Sequence, residues 1–243
     1  MKQLTLGSLF DGSGGFPLAG KHVGIKPIWA SEIEPFPIRV TTNRLPEMKH
    51  LGDITKINGA EIEPVDIVTS GSPCQSFSCS GDRTGLEGKS GLFYEAVRVI
   101  SEMRKATNNK YPRYVLIENV PGMLTCTGGE DFNEVLSELT ALGGQRNQCP
   151  RPKKWEKAGS IMGDSFSLAW RILDAQFFRL AQSRRRVFII LCIGANGGGQ
   201  KTYSLSAKCL KGILRRAIKK ERCWPTVLVE TVLRMIQEQE KAA

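Results

Sequence analysis

The sequence predicts an α/β fold built on one mostly parallel sheet with one antiparallel strand. Two observations carry that expectation. Along residues 4–142, short apolar segments of strand length alternate with amphipathic stretches of helix length, and strand alternating with helix favours a parallel sheet covered by helices on both faces. Later, the apolar segments 166–173 and 187–193 are joined by a polar turn. That join is too short for a helical crossover, so the two should pair antiparallel.

The elements follow in order. Residues 4–9, LTLGSL, read as a short buried strand leading into a glycine turn at 12–15 and a helix to Lys21. Residues 27–31 read as a second strand and 36–44 as a helix. VDIVTS at 65–70 is a strand ending in GSPC, followed by a Ser- and Gly-rich loop over 75–91. A helix is expected from Leu92 to about Lys105, a strand over 114–118 and a helix over 131–142. The Gly-, Pro- and Lys-rich stretch 143–164 reads as an irregular excursion. ANGGGQ at 195–200 has the composition of a flexible linker. A basic segment at 205–222 and an amphipathic helix at about 225–240 follow it. The expected division is one α/β domain over 1–193 and a short basic C-terminal segment over 194–243.

Composition narrows the function. The chain has 243 residues, 41% of them apolar and 24% charged, an ordinary globular mixture for one domain with at most a small appendage. No run approaches the length of a membrane span. MKQLTL enters the glycine turn directly, with no signal-peptide organisation, so the expected location is the cytoplasm. Seven cysteines form no Cys-x-x-Cys pair, which argues against a disulfide framework or a zinc knuckle. Two histidines leave little for metal binding, and no metal is expected. The net charge is +10, and residues 194–243 carry ten Lys or Arg against four Asp or Glu. Such a balance suits a polyanionic partner, nucleic acid first among them, and also a merely soluble basic protein.

Four segments carry candidate chemistry. In FDGSGGF, residues 10–16, Gly12, Gly14 and Gly15 let the backbone approach a ligand at a helix N-terminus. Pro17 stands where a dinucleotide fingerprint needs glycine, which argues against a nicotinamide cofactor. Glu32 ends the second strand, where an acid accepts from ribose hydroxyls, and Asp53 stands where a third strand would end. Taken alone, this region equally fits a tight turn and two solvated acids. In GSPCQSFS, residues 71–78, Cys74 follows a central strand, and Pro73 fixes the backbone before it. A free thiol is only about 3% thiolate at pH 7, so a nucleophilic role requires nearby positive charge; a buried structural cysteine is the alternative. Glu118, in ENV after YVLIE, fits a general acid or a capping or salt-bridging acid. In QSRRR, Arg184 and Arg186 share a parity and suit an anion, a base carbonyl or simple solvation.

Together, in this order and spacing, FDGSGGF, GSPCQ, ENV and QxRxR before an apolar strand resemble the C5-cytosine DNA methyltransferase family. ASEIEPF, IMGDSFSLAWRILDAQ and LSAKCLKGILRRA are closest to its phage and prophage branch. The Cys-Phe-Thr signature of RNA-methylating relatives is missing from the sequence. The resemblance implies a Rossmann-like S-adenosylmethionine-dependent methyltransferase fold and double-stranded DNA as partner. It implies a thiolate of Cys74 adding to carbon 6 of a flipped-out cytosine, with Glu118 bonding the ring N3 and amino group. Arg186 would hold the base and Arg184 assist. Phe10, Gly12, Gly14, Gly15, Glu32, Ile33, Asp53, Ile54, Pro73 and Leu92 would line the cofactor site, with Asp53 placed to accept from an adenine amino group. Ser78, Ser80, Arg83 and Gln182 would contact DNA, and the loop to Gly91 would close over it.

The departures are specific. The family's target-recognition domain and its Gly-Asn-Ser-Val segment have no counterpart here, and Arg179-Leu180-Ala181 replaces a Gly, apolar, Pro pattern. Three expectations follow. The chain is a minimal methyltransferase of weak specificity, a catalytic subunit completed by a second polypeptide, or a non-catalytic protein binding DNA or cofactor.

Overall fold

A computed structural model describes residues 3–73, 91–144, 152–178 and 181–194. These belong to one compact unit, Met1–Asn196. Cys74, Ser78, Ser80 and Arg83, the loop after Cys74 and the basic C-terminal segment lie outside the described residues.

Eight strands form one sheet: β1 (Thr5–Leu9), β2 (Lys26–Ser31), β3 (Lys49–His50), β4 (Ile67–Ser70), β5 (Tyr114–Asn119), β6 (Ala158–Met162), β7 (Phe166–Asp174) and β8 (Arg185–Ile193). Their order across the sheet is β3-β2-β1-β4-β5-β8-β7-β6. The first five strands are parallel, linked by helices α1 (Gly15–His22), α2 (Pro35–Arg44) and α3 (Gly91–Ala106). Helix α4 (Glu130–Leu142) follows β5. The expected antiparallel strand is β8, which pairs with β5 and β7. A second one, β6, pairs antiparallel with β7 inside the stretch expected to be irregular.

Packing explains these choices. β1 lies between two parallel neighbours, so four of its five residues are buried and its sequence is nearly all apolar or small. Gly7 has no alternative, because a Cβ there would lie 2.2 Å from the Trp29 ring. That indole stays in the core by donating its N–H to Glu63 O at 2.8 Å. Helix α3 buries Phe93, Ala96, Val99, Ile100 and Met103, a stripe at helical spacing. Helix α4 buries Phe132, Val135, Leu136 and Leu139 in the same way. Phe132, Trp155 and Trp170 meet edge to face, with centroids 5.0–5.7 Å apart. Trp170 lies across Gly159, where a Cβ would be 2.2 Å from the ring. AGSIM therefore becomes a strand by accommodating a neighbour's indole, despite its weak intrinsic preference.

Candidate active site

The described candidate positions gather at the edge where the parallel strands end. Behind β1, Phe10, Gly12 and Gly14 have φ of 53°, 57° and 82°. Glycine is required at Gly14 for a second reason, since a Cβ would lie 2.7 Å from Thr41 Cγ2. Among the described residues a Cβ at Gly12 or Gly15 would meet nothing within 4 Å. Open space therefore lies over the turn at the N-terminus of α1, a cradle that side chains would fill.

Glu32, just past β2, braces this turn. Its Oε2 accepts from Gly12 N at 2.7 Å, and its Oε1 accepts from Ile33 N at 2.8 Å and Glu34 N at 3.0 Å. The side chain expected for ribose hydroxyls thus also fixes the loop. Ile33 beside it is 65% exposed. Past β3, Asp53 caps the short helical turn Ile54–Lys56 by accepting from Thr55 N and Thr55 Oγ1. The Thr55 backbone N–H, then its hydroxyl, hold the Asp53 carboxyl below the usual carboxylate range, with Lys56 adding to the effect. Ile54 itself is buried in the main core, and Leu92, at the start of α3, packs partly buried against that core.

Asp11 escaped the sequence reading. It is 7% exposed, and among the described residues neither carboxylate oxygen has a hydrogen-bond partner within ordinary hydrogen-bond geometry. Burial pushes its pKa up to about 6; neighbouring Glu32 adds to the rise, and the Ser8 hydroxyl offsets part of it. The available signal was an acid inside an otherwise apolar and glycine-rich turn.

At the other side of the edge, Glu118 Oε1 receives Arg186 Nε at 3.0 Å and Arg184 Nη2 at 3.8 Å. The shared parity of the two arginines does bring both to one carboxylate. A Cβ on Gly71 would lie 3.8 Å from Glu118 Oε2 and 3.7 Å from Phe10 O, so this carboxylate adjoins the glycine turn. Asn119 is 1% exposed and joins the two motifs. Its Nδ2 donates to Ser72 O and Oγ at 3.4 Å, while its Oδ1 accepts from Val120 N at 2.8 Å. It thereby fastens the segment leading to Pro73, a tie that adjacency to Glu118 could have suggested. Gln182 is exposed in the turn before β8. Among the described residues no three His, Cys, Asp or Glu side chains converge as a metal site would require.

An open glycine turn braced by an acid, a second acid past the neighbouring strand and an arginine-held carboxylate thus share the edge where open α/β sheets place their ligands. Residues 4–208 match the family model described as C-5 cytosine-specific DNA methylase. The chain therefore belongs to the C-5 cytosine-specific DNA methylase family. It is 36% identical over 217 residues to the DNA N-6-adenine-methyltransferase of Escherichia phage P1, covering 78% of this chain and 28% of that protein. It is 31% identical over 188 residues to the type II methyltransferase M.BsuFI of Bacillus subtilis, covering 77% of this chain and 39% of that one. The fold matches a prophage-encoded E. coli protein, described as a DNA modification methyltransferase, with a TM-score of 0.57 at 21% identity, over 79% of this chain and 47% of that chain. The chain spans less than half the length of the curated relatives it matches.

Proposed function

We propose that this chain is a DNA cytosine-5 methyltransferase whose nucleophile is Cys74. The observation that carries the reading is the carboxylate of Glu118, held by two arginines and adjoining both the glycine turn and the segment that leads to Cys74. Carbon 5 of cytosine is a weak nucleophile, so the chemistry needs activation of the ring. A Cys74 thiolate adds its electron pair to carbon 6; the carbon 5–carbon 6 π electrons shift onto carbon 5 and, through the ring, towards N3. A proton carried between a Glu118 carboxyl oxygen and ring N3 passes towards N3 and neutralises that charge, the other oxygen accepts from the amino group, and Arg186 holds the base with Arg184 beside it. S-adenosylmethionine, when bound, supplies an electrophilic methyl group for the activated carbon 5. A water molecule acting as base takes the carbon 5 proton, and the C–H electrons re-form the carbon 5–carbon 6 bond as the thiolate leaves.

The residues present fit that cofactor. Gly12 and Gly15 leave the cradle at the helix N-terminus open. Glu32 and Asp53 present acceptors, and Phe10, Gly14, Ile33, Ile54, Pro73 and Leu92 complete the proposed lining. The target base leaves the duplex stack before it reacts, at a cost of a few kcal/mol. Ser78, Ser80, Arg83 and Gln182 are the proposed DNA contacts, and the enzyme acts on DNA inside the cell. The match spans less than half of the relatives' length; a second polypeptide is the proposed source of sequence recognition. No described helix is long and apolar enough to cross a membrane.

The experiment is transfer from labelled S-adenosylmethionine to mixed DNA, with nucleoside analysis and a Cys74→Ala control. Labelled 5-methylcytosine that vanishes with Cys74→Ala supports the reading. The name of the phage P1 relative raises methylation of the adenine amino group, whose nitrogen needs no thiolate; labelled N6-methyladenine that survives Cys74→Ala would decide for it.

A further inference from the structure

We propose that Phe177 and Phe178 form an aromatic contact surface for DNA bases beside the candidate active site. The inference rests on the DNA-methylating reading above. The short helical turn Ala175–Phe178 joins β7 to β8 and presents Phe177 76% exposed and Phe178 60% exposed. Exposed rings on a loose loop would mean little, but this turn is anchored at its root. Asp174 is 7% exposed. Its Oδ1 accepts from Gln176 N at 3.3 Å and Arg184 N at 3.1 Å, and its Oδ2 from Gln176 Nε2 at 2.9 Å. Ala175 N also donates to Arg184 O at 3.0 Å. Bonds from both arms of the turn thus converge on one buried carboxylate, and the rings are held at the sheet end.

The surroundings select the partner. Arg185 is exposed on the returning arm, Arg184 is half exposed with its Nη2 3.8 Å from Glu118 Oε1, Arg186 follows on Glu118, and no Asp or Glu occurs between residues 175 and 186. Two exposed apolar rings on a turn whose returning arm carries Arg184, Arg185 and Arg186 suit a ligand that is both anionic and rich in flat apolar faces. Guanidiniums take phosphates, and aromatic rings stack on bases with little sequence preference. Extruding a cytosine leaves neighbouring base faces without a stacking partner, at the edge where these rings stand. The occupant is therefore DNA, with Phe177 and Phe178 stacking on bases exposed beside the extruded cytosine.

The test compares fluorescence anisotropy of the full chain on a paired duplex and on the same duplex with a central single-stranded gap. The Phe177→Ala/Phe178→Ala variant should lose about tenfold or more in affinity for gapped DNA and less than about twofold for paired DNA. Phe177→Trp/Phe178→Trp should hold within about twofold on both. Both variants should melt as the unchanged chain does, because the rings are exposed. Unaltered binding of gapped DNA by the alanine variant overturns the proposal. So does full retention by Phe177→Leu/Phe178→Leu, which would mark burial against protein, as would a change in assembly size alone. If the unchanged chain binds neither DNA, the DNA-methylating reading falls with it; if it binds both and the variants match it, only this inference falls.

Discussion

Arg186 Nε lies 3.0 Å from Glu118 Oε1, and this contact joins the first residues of β8 to the last of β5 across the antiparallel boundary of the sheet. The register that creates it pairs Glu118 with Phe188 and Asn119 with Val187. The antiparallel return of β8 is thus what delivers two arginines to a carboxylate at the parallel strand ends. Replacing Glu118 by Gln keeps the shape and removes the charge. The expected outcome is a loss of about 10²–10⁴ in turnover with unchanged far-ultraviolet circular dichroism; Arg186→Ala should lose about 10²-fold or more. Initial-rate measurements check both.

Asp11 gives a pH signature. Its carboxyl is pushed from 3.8 to about 6 by burial, so the folded state binds a proton more tightly than the unfolded one. Well below pH 3.8 both states are protonated and the group contributes nothing. As pH rises towards about 6 stability falls, and above that the full penalty, at most about 3 kcal/mol, persists. Asp11→Asn should therefore raise the midpoint of denaturation at pH 8 and leave it nearly unchanged near pH 4. Equal effects at both pH values would contradict the assignment.

The glycine turn separates fold from ligand. A Cβ at Gly14 meets Thr41 Cγ2 at 2.7 Å and φ there is +82°, so Gly14→Ala should destabilise the fold by about 1–3 kcal/mol. A Cβ at Gly15 meets nothing within 4 Å, so Gly15→Val should leave urea denaturation nearly unchanged. Its cost should fall on S-adenosylhomocysteine affinity, read by titration calorimetry, because the side chain enters the open cradle.

Much of this arrangement was legible in the sequence for identifiable reasons. VDIVTS and YVLIE announce strands because both are apolar runs ended by polar residues, and central parallel strands are buried on both faces. The parity of Arg184 and Arg186 was enough to place both on one face. β6 was not legible, because AGSIM owes its pairing to the Trp170 ring seated over Gly159. Asp11 and Asn119 were hidden because burial and partner choice arise only when separate strand ends meet. The bracing of Gly12 by Glu32 had the same origin.

Asn119 should behave as a positioning residue. Asn119→Ala removes the tie to Ser72 and leaves Val120 N without its acceptor. A cost of about 1–3 kcal/mol in stability is expected. Turnover should fall even at temperatures where the variant is folded, with the Michaelis constant for S-adenosylmethionine little changed.

The central claim is a covalent bond between Cys74 and the target base, and DNA containing 5-fluorocytosine tests it directly. Fluorine cannot leave as the carbon 5 proton does, so the adduct persists once the methyl group is transferred. With S-adenosylmethionine present, the account predicts a denaturation-resistant protein–DNA complex whose peptide mass spectrum places the modified base on Cys74. A complex that forms equally with Cys74→Ala, or methylated product with no trapped complex, would contradict it.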